Sequence, residues 1–127
     1  MKHTLLIITA LMLVVGCGGS GESSQIDLNN VTIGNYPEGF RVTNDEKFNL
    51  YNVILRLNGG DFKYRPSSLS IRSGQTITIG HGRFTNRDNR YYNPYQVRAE
   101  NISISCDLKP EEADGKTSGW SYFEWSY

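Results

Sequence analysis

The chain reads as an all-β protein, an antiparallel sandwich of about seven or eight short strands. Three observations carry this expectation. Alternating runs of β-branched and aromatic residues recur along the chain, clusters of Gly, Asn and Ser separate them, and helical periodicity never lasts beyond two turns. The whole is 127 residues with 13 Gly, four Pro and eight Tyr, which suits one small β-rich domain better than a disordered segment.

The first element stands apart from the sandwich. Met1, Lys2 and His3 make a positively charged start, and from Thr4 to Val15 only Thr4 and Thr9 interrupt an apolar run. The run is shorter than the roughly 20 apolar residues a spanning helix needs, and Gly and Ser follow it in place of a basic stop signal. Residues 1–16 therefore read as a signal peptide, residues 17–24 as Cys17 with a flexible Gly/Ser tether, and residues 25–127 as the folded domain.

Within the domain the strands are expected near Ile26 to Ile33, Phe40 to Thr43, Leu50 to Leu57, Phe62 to Arg65, Leu69 to Ile71, Thr76 to Ile79, Val97 to Cys106 and Gly119 to Trp125. The best-defined is Tyr51 to Leu57, a central strand in which Tyr51, Val53, Leu55 and Leu57 share one face and Asn52, Ile54 and Arg56 the other. Asn58-Gly59-Gly60-Asp61 then tolerates positive φ and closes a hairpin with Phe62-Lys63-Tyr64. Pro66 cannot donate to a ladder, so the returning strand stops there or runs along an edge. Arg72-Ser73-Gly74-Gln75 reads as a second tight reversal, joining Leu69 and Ile71 to Ile77 and Ile79.

Two resemblances add to this. Leu13-Val14-Val15-Gly16-Cys17 resembles a bacterial lipobox, which implies cleavage before Cys17 and attachment of three acyl chains to that residue. Three chains exceed the two-signal threshold for stable anchoring, so the mature protein is expected to stay lipid-anchored at the cell envelope, outside the cytoplasm. Gly18, where Asp would retain the protein in the inner membrane of the best-studied pathway, favours the outer membrane. The run from Leu57-Asn58-Gly59 through Leu69 to Ile79 and on to Phe84-Thr85-Asn86-Arg87-Asp88-Asn89 resembles small immunoglobulin-like or fibronectin-III-like domains of bacterial lipoproteins without assigned activity. That likeness covers most of residues 44–125 and speaks for fold; the chain lacks the paired cysteines and packed Trp of antibody domains.

Charge names no partner. There are 13 basic and 13 acidic side chains, and loss of residues 1–16 removes only Lys2, leaving 12 against 13 and a net charge of −1. Nucleic acid is not expected as a ligand. Cys106, alone once Cys17 is lipidated, ends the alternating Ile102 to Cys106 and reads as a small buried hydrophobe in preference to a nucleophile or metal ligand. His81 is the only His after residue 3, too few for a transition-metal site, and no cofactor is expected. Asn86 to Asn89 reads as a side-chain-stabilised turn in preference to a calcium loop. Neither a nucleophile elbow nor a convincing pair of carboxylates marks an enzyme.

Two groups of side chains are left as candidate ligand-binding residues. Alternation along Trp120 to Trp125 sends Trp120, Tyr122 and Glu124 to one side and Ser121, Phe123 and Trp125 to the other; the second set is expected in the core and the first beside solvent, where a sugar or peptide stacks. The second group is Arg83, Phe84, Arg87, Arg90, Tyr91, Tyr92 and Tyr95, of which Arg87, Arg90 and Tyr91 are the candidates to contact an acidic glycan, a lipid headgroup or a protein. The functional expectation is a non-catalytic envelope lipoprotein that binds a protein partner or has a structural role, with carbohydrate binding at the C-terminal strand as the alternative.

Overall fold

A computed structural model describes residues 24–127. The expected signal peptide, Cys17 and most of the expected tether lie outside the described residues. Eight strands form two sheets: β1 (Gln25–Asp27), β8 (Ser118–Glu124), β7 (Asn101–Asp107), β4 (Tyr51–Leu57) and β5 (Phe62–Tyr64) in that spatial order, and β2 (Val31–Tyr36), β3 (Gly39–Asn44) and β6 (Thr76–Ile79) in the other. The all-β sandwich is therefore as the alternation implies. Every pair is antiparallel except β1–β8, which is parallel.

The core lies where the inner faces meet. Val53, Leu55 and Leu57 from β4, Ile102 and Ile104 from β7, Phe40 and Val42 from β3, with Phe84 and Leu50, are all fully buried. Each such side chain contributes roughly 1.5–3 kcal/mol by leaving water. The β4–β5 hairpin forms as expected, Leu57 opposite Phe62, with Asn58, Gly59 and Gly60 at φ of 52°, 69° and 93°. β5 ends at Tyr64, ahead of Pro66.

Four strand expectations are corrected. Ile26 to Ile33 is two strands in different sheets, because the turn at Asn29 and Asn30 carries the chain across; the Glu46 carboxylate accepts from the Asn30 side-chain amide (3.0 Å) and the Asn30 N–H (3.3 Å), fixing that crossing. Tyr51 leaves the inward face of β4. One extra residue interrupts the β4–β7 register between Tyr51 and Ile54, Asn52 takes φ of 50°, and the bulge turns the Tyr51 ring outward to Glu112 and Lys109. Leu69 to Ile71 does not pair with β6. Ile71 exchanges both backbone bonds with Leu50 (2.9 Å each) while β6 pairs with β3, since the Asn44 amide, fully buried, donates to the carbonyls of Ile71 and Phe48 (3.0 Å each) and draws the segment toward β4. β7 starts at Asn101, not Val97: the Asn58 carboxamide donates to the Arg98 carbonyl (2.9 Å) and accepts from the Glu100 N–H (2.7 Å), holding that stretch as a loop.

The Arg72 to Gln75 reversal is present, with Gly74 at φ of 80°. The β2–β3 turn depends on a glycine for space: a Cβ on Gly39 would lie 2.3 Å from the Ile79 carbonyl oxygen.

Candidate functional site

The outer face of the five-stranded sheet collects the C-terminal aromatics. Strand alternation along β8 places Trp120, Tyr122 and Glu124 outward, as the sequence implies, with Trp120 40% and Tyr122 43% exposed. Phe123 and Trp125 turn inward against the core, where the Trp125 ring lies stacked on Phe40 with centroids 5.7 Å apart. On the outer side the Trp120 and Tyr122 rings are nearly parallel, 11° between planes and 6.3 Å between centroids. The Tyr122 hydroxyl donates to the Glu124 carboxylate (2.8 Å), which fixes the ring and pushes its phenol upward in pKa.

Register sets the neighbours of these rings. Trp120 faces Ser105 and Tyr122 faces Ser103 on β7; Ser103 in turn faces Arg56 on β4, and Arg56 faces Lys63 on β5. The Arg56 guanidinium donates to the Ser105 hydroxyl at 2.9 Å. Arg56, Lys63, Ser103 and Ser105 escape a reading of one strand at a time. Their signal is polar alternation opposite Ile102, Ile104, Leu55 and Leu57, which marks an outward face but becomes a shared site only through cross-strand pairing.

The Arg and Tyr group is divided by the fold. Phe84 and Tyr92 are core residues, and the Tyr92 hydroxyl donates to the Val97 carbonyl (2.8 Å). Tyr91 and Tyr95 are 72% and 97% exposed beside an open depression of about 650 Å³ that Arg90 and His81 also line. Arg87 lies apart, lining a second depression with Lys63 and Asp61. Arg83 sits over the Tyr64 ring at 6.0 Å. The Asn86 turn is side-chain-stabilised, its carboxamide oxygen accepting from the N–H groups of Asp88 (3.0 Å) and Arg90 (2.9 Å). The candidates therefore fall on three separate surfaces: Trp120, Tyr122 and Glu124 on the sheet, Arg90 with Tyr91 at one loop depression, and Arg87 at another.

The remaining reactive groups are committed to structure. Cys106 is buried in the core, and burial pushes its thiol up to about 12, leaving little thiolate. The His81 Nε2 is 2.9 Å from the Asn35 amide oxygen and its ring stands edge-on to Phe40; desolvation lowers its pKa. Among the described residues no three His, Cys, Asp or Glu side chains group closely enough to hold a metal ion. What the sheet face presents to a ligand is two rings, two serine hydroxyls and a guanidinium.

Compared with family models, curated proteins and solved structures, the chain matches none.

Proposed function

We propose that the protein is a non-catalytic binding module of the bacterial cell envelope, held to a membrane, the outer membrane in first place, by acyl chains on Cys17. The lipobox-like Leu13 to Cys17 supports the anchor, and the tether that follows gives the domain reach from the bilayer. The strand order supports an immunoglobulin-like or fibronectin-III-like classification: β4, β7 and β8 share one sheet as the third and last two strands of such domains do, with β1 an addition on the β8 edge.

The single observation that carries the binding role is the parallel, half-exposed Trp120–Tyr122 pair on a largely polar sheet face. A contiguous exposed aromatic patch rimmed by polar residues is the kind of surface that marks a binding site. The pair also favours a saccharide over a protein partner, because half-exposed, parallel aromatic rings offer flat apolar area to the C–H face of a sugar. Intrinsic fluorescence titrated with a panel of oligosaccharides tests this. A spectral shift is expected in the parent chain and in Trp125→Phe, and its loss in Trp120→Ala; a flat response across the panel refutes the saccharide reading. Metabolic labelling with a palmitate analogue tests the anchor, and label retained in Cys17→Ser refutes it.

A further inference from the structure

The serines of β7 give the outer face its relief. Ser103 and Ser105 project small hydroxyl side chains between two strands that carry large ones: Trp120 and Tyr122 on β8, Ile54 and Arg56 on β4. The result is a trough along β7 whose walls stand two strand spacings apart, about 9–10 Å. One wall is aromatic; the other carries Ile54 and the cationic Arg56, with Lys63 beside Arg56 on β5.

Neither cation of this wall is in an ion pair among the described residues, although Asp61 and Asp88 line the depression beside Lys63. Arg56 and Lys63 are directly opposite each other across β4 and β5, an arrangement of like charges that costs stability unless an anion lies nearby. The Arg56 guanidinium reaches over the floor to Ser105, so its other N–H donors sit at the trough. On the opposite wall the Glu124 carboxylate accepts from the Tyr122 hydroxyl and keeps its negative charge, at the end of β8 paired with Asn101 and away from Ser105.

We infer that this trough binds an anionic glycan, one sugar ring stacking on Trp120 and Tyr122, its hydroxyls meeting Ser103 and Ser105, and an acidic group held by Arg56 and Lys63. The inference rests on the sheet face being a saccharide platform and adds the charge of the ligand. A guanidinium binds a carboxylate or sulfate through paired N–H donors, whereas a neutral sugar leaves Arg56 and Lys63 facing each other.

The full chain in detergent, titrated calorimetrically with tetragalacturonate, its methyl ester and tetraglutamate, decides the matter. The acid is expected to bind at least about ten-fold more tightly than the ester, with affinity falling as salt rises. Arg56→Gln brings acid and ester within about two-fold of each other, Arg56→Lys keeps part of the preference, and Trp120→Ala loses both ligands. Thermal melts of each variant confirm that it is folded. Equal binding of acid and ester by the parent overturns the anionic assignment and leaves the saccharide platform standing. Absence of binding by either sugar overturns both, and tetraglutamate binding as tightly as tetragalacturonate overturns the glycan in favour of an acidic peptide.

Discussion

Gly119→Ala tests the packing between the parallel β1 edge and the core. Gly119 is buried on the inner side of β8 opposite Cys106, and a Cβ there would lie 2.6 Å from Leu28 Cδ2 and 3.0 Å from Cγ. Carbon atoms in contact prefer about 3.5–4.0 Å, so the methyl overlaps Leu28 by roughly 1 Å. Leu28 is 1% exposed and has no solvent to move into. Overpacking of this kind costs about 1–3 kcal/mol, while replacing a strand glycine recovers about 0.5–1 kcal/mol of chain entropy, so a net loss of up to about 2.5 kcal/mol is expected. Leu28→Ala alone should cost about 2–5 kcal/mol through the cavity it leaves. In the double variant the methyl enters that cavity, so Gly119→Ala should become neutral or stabilising, with a coupling of about 1–2 kcal/mol. Urea melts followed by tryptophan fluorescence measure all four corners of the cycle. The same destabilisation by Gly119→Ala in both backgrounds would refute the reasoning.

Leu55→Ala should cost about 2–5 kcal/mol, a large share of the stability of a small domain, while Arg56→Ala on the outward face costs under about 1 kcal/mol; equal losses in denaturant melts would mean the β4 register is wrong. His81 has a pKa lowered by desolvation, so the unfolded chain binds its proton more readily than the folded one. Stability from the neutral imidazole should be complete above the unfolded value of about 6.5 and fall as pH drops through it toward the folded pKa; a melting temperature whose slope in this window is unchanged in His81→Phe would exclude the effect. In Cys17→Ser, where Cys106 is the remaining thiol, an aromatic disulfide reagent at pH 8 should react only at the rate of unfolding, since the native thiol is buried with its pKa near 12; prompt reaction of the folded protein would contradict that burial.

Legibility in the sequence followed the range of the interactions. Alternation exposed the inner faces of β4, β7 and β8, because period-2 burial is local to one strand: Leu55, Ile104 and Trp125 were assignable from their immediate neighbours. The direction of Tyr51 was not, because the bulge at Asn52 depends on pairing with Ser105 and Asp107, far along the chain. The same holds for the break after Asp27 and for the path of Leu69 to Ile71. Both are set by buried polar side chains, Glu46 on Asn30 and Asn44 on Ile71, whose partners carry no local signature. Among the aromatics, composition located the Arg and Tyr segment, but only packing separated core Phe84 and Tyr92 from exposed Tyr91 and Tyr95.

The two faces of β8 also explain why a ligand surface is compatible with so small a core. Gly119, Phe123 and Trp125 contribute to packing from one side of the strand, and Trp120, Tyr122 and Glu124 project from the other, so a substitution on the outer side leaves the inner contacts in place. The price is borne by register. Sliding β8 by one residue along β7 would send Trp120 and Tyr122 into the core and Phe123 and Trp125 into water, and would bring Ser121 into the position of Tyr122 opposite Ser103. The parallel β1 strand opposes such a slip: Gln25, Ile26 and Asp27 pair with Ser118, Gly119 and Trp120, the Leu28 N–H donates to the Trp120 carbonyl (2.9 Å), and the Leu28 side chain fits only against a residue without a Cβ. The addition on the sheet edge thus fixes which way the aromatic pair faces, and a domain shortened to begin after Leu28 should lose order in β8 before it loses the β4–β7 core.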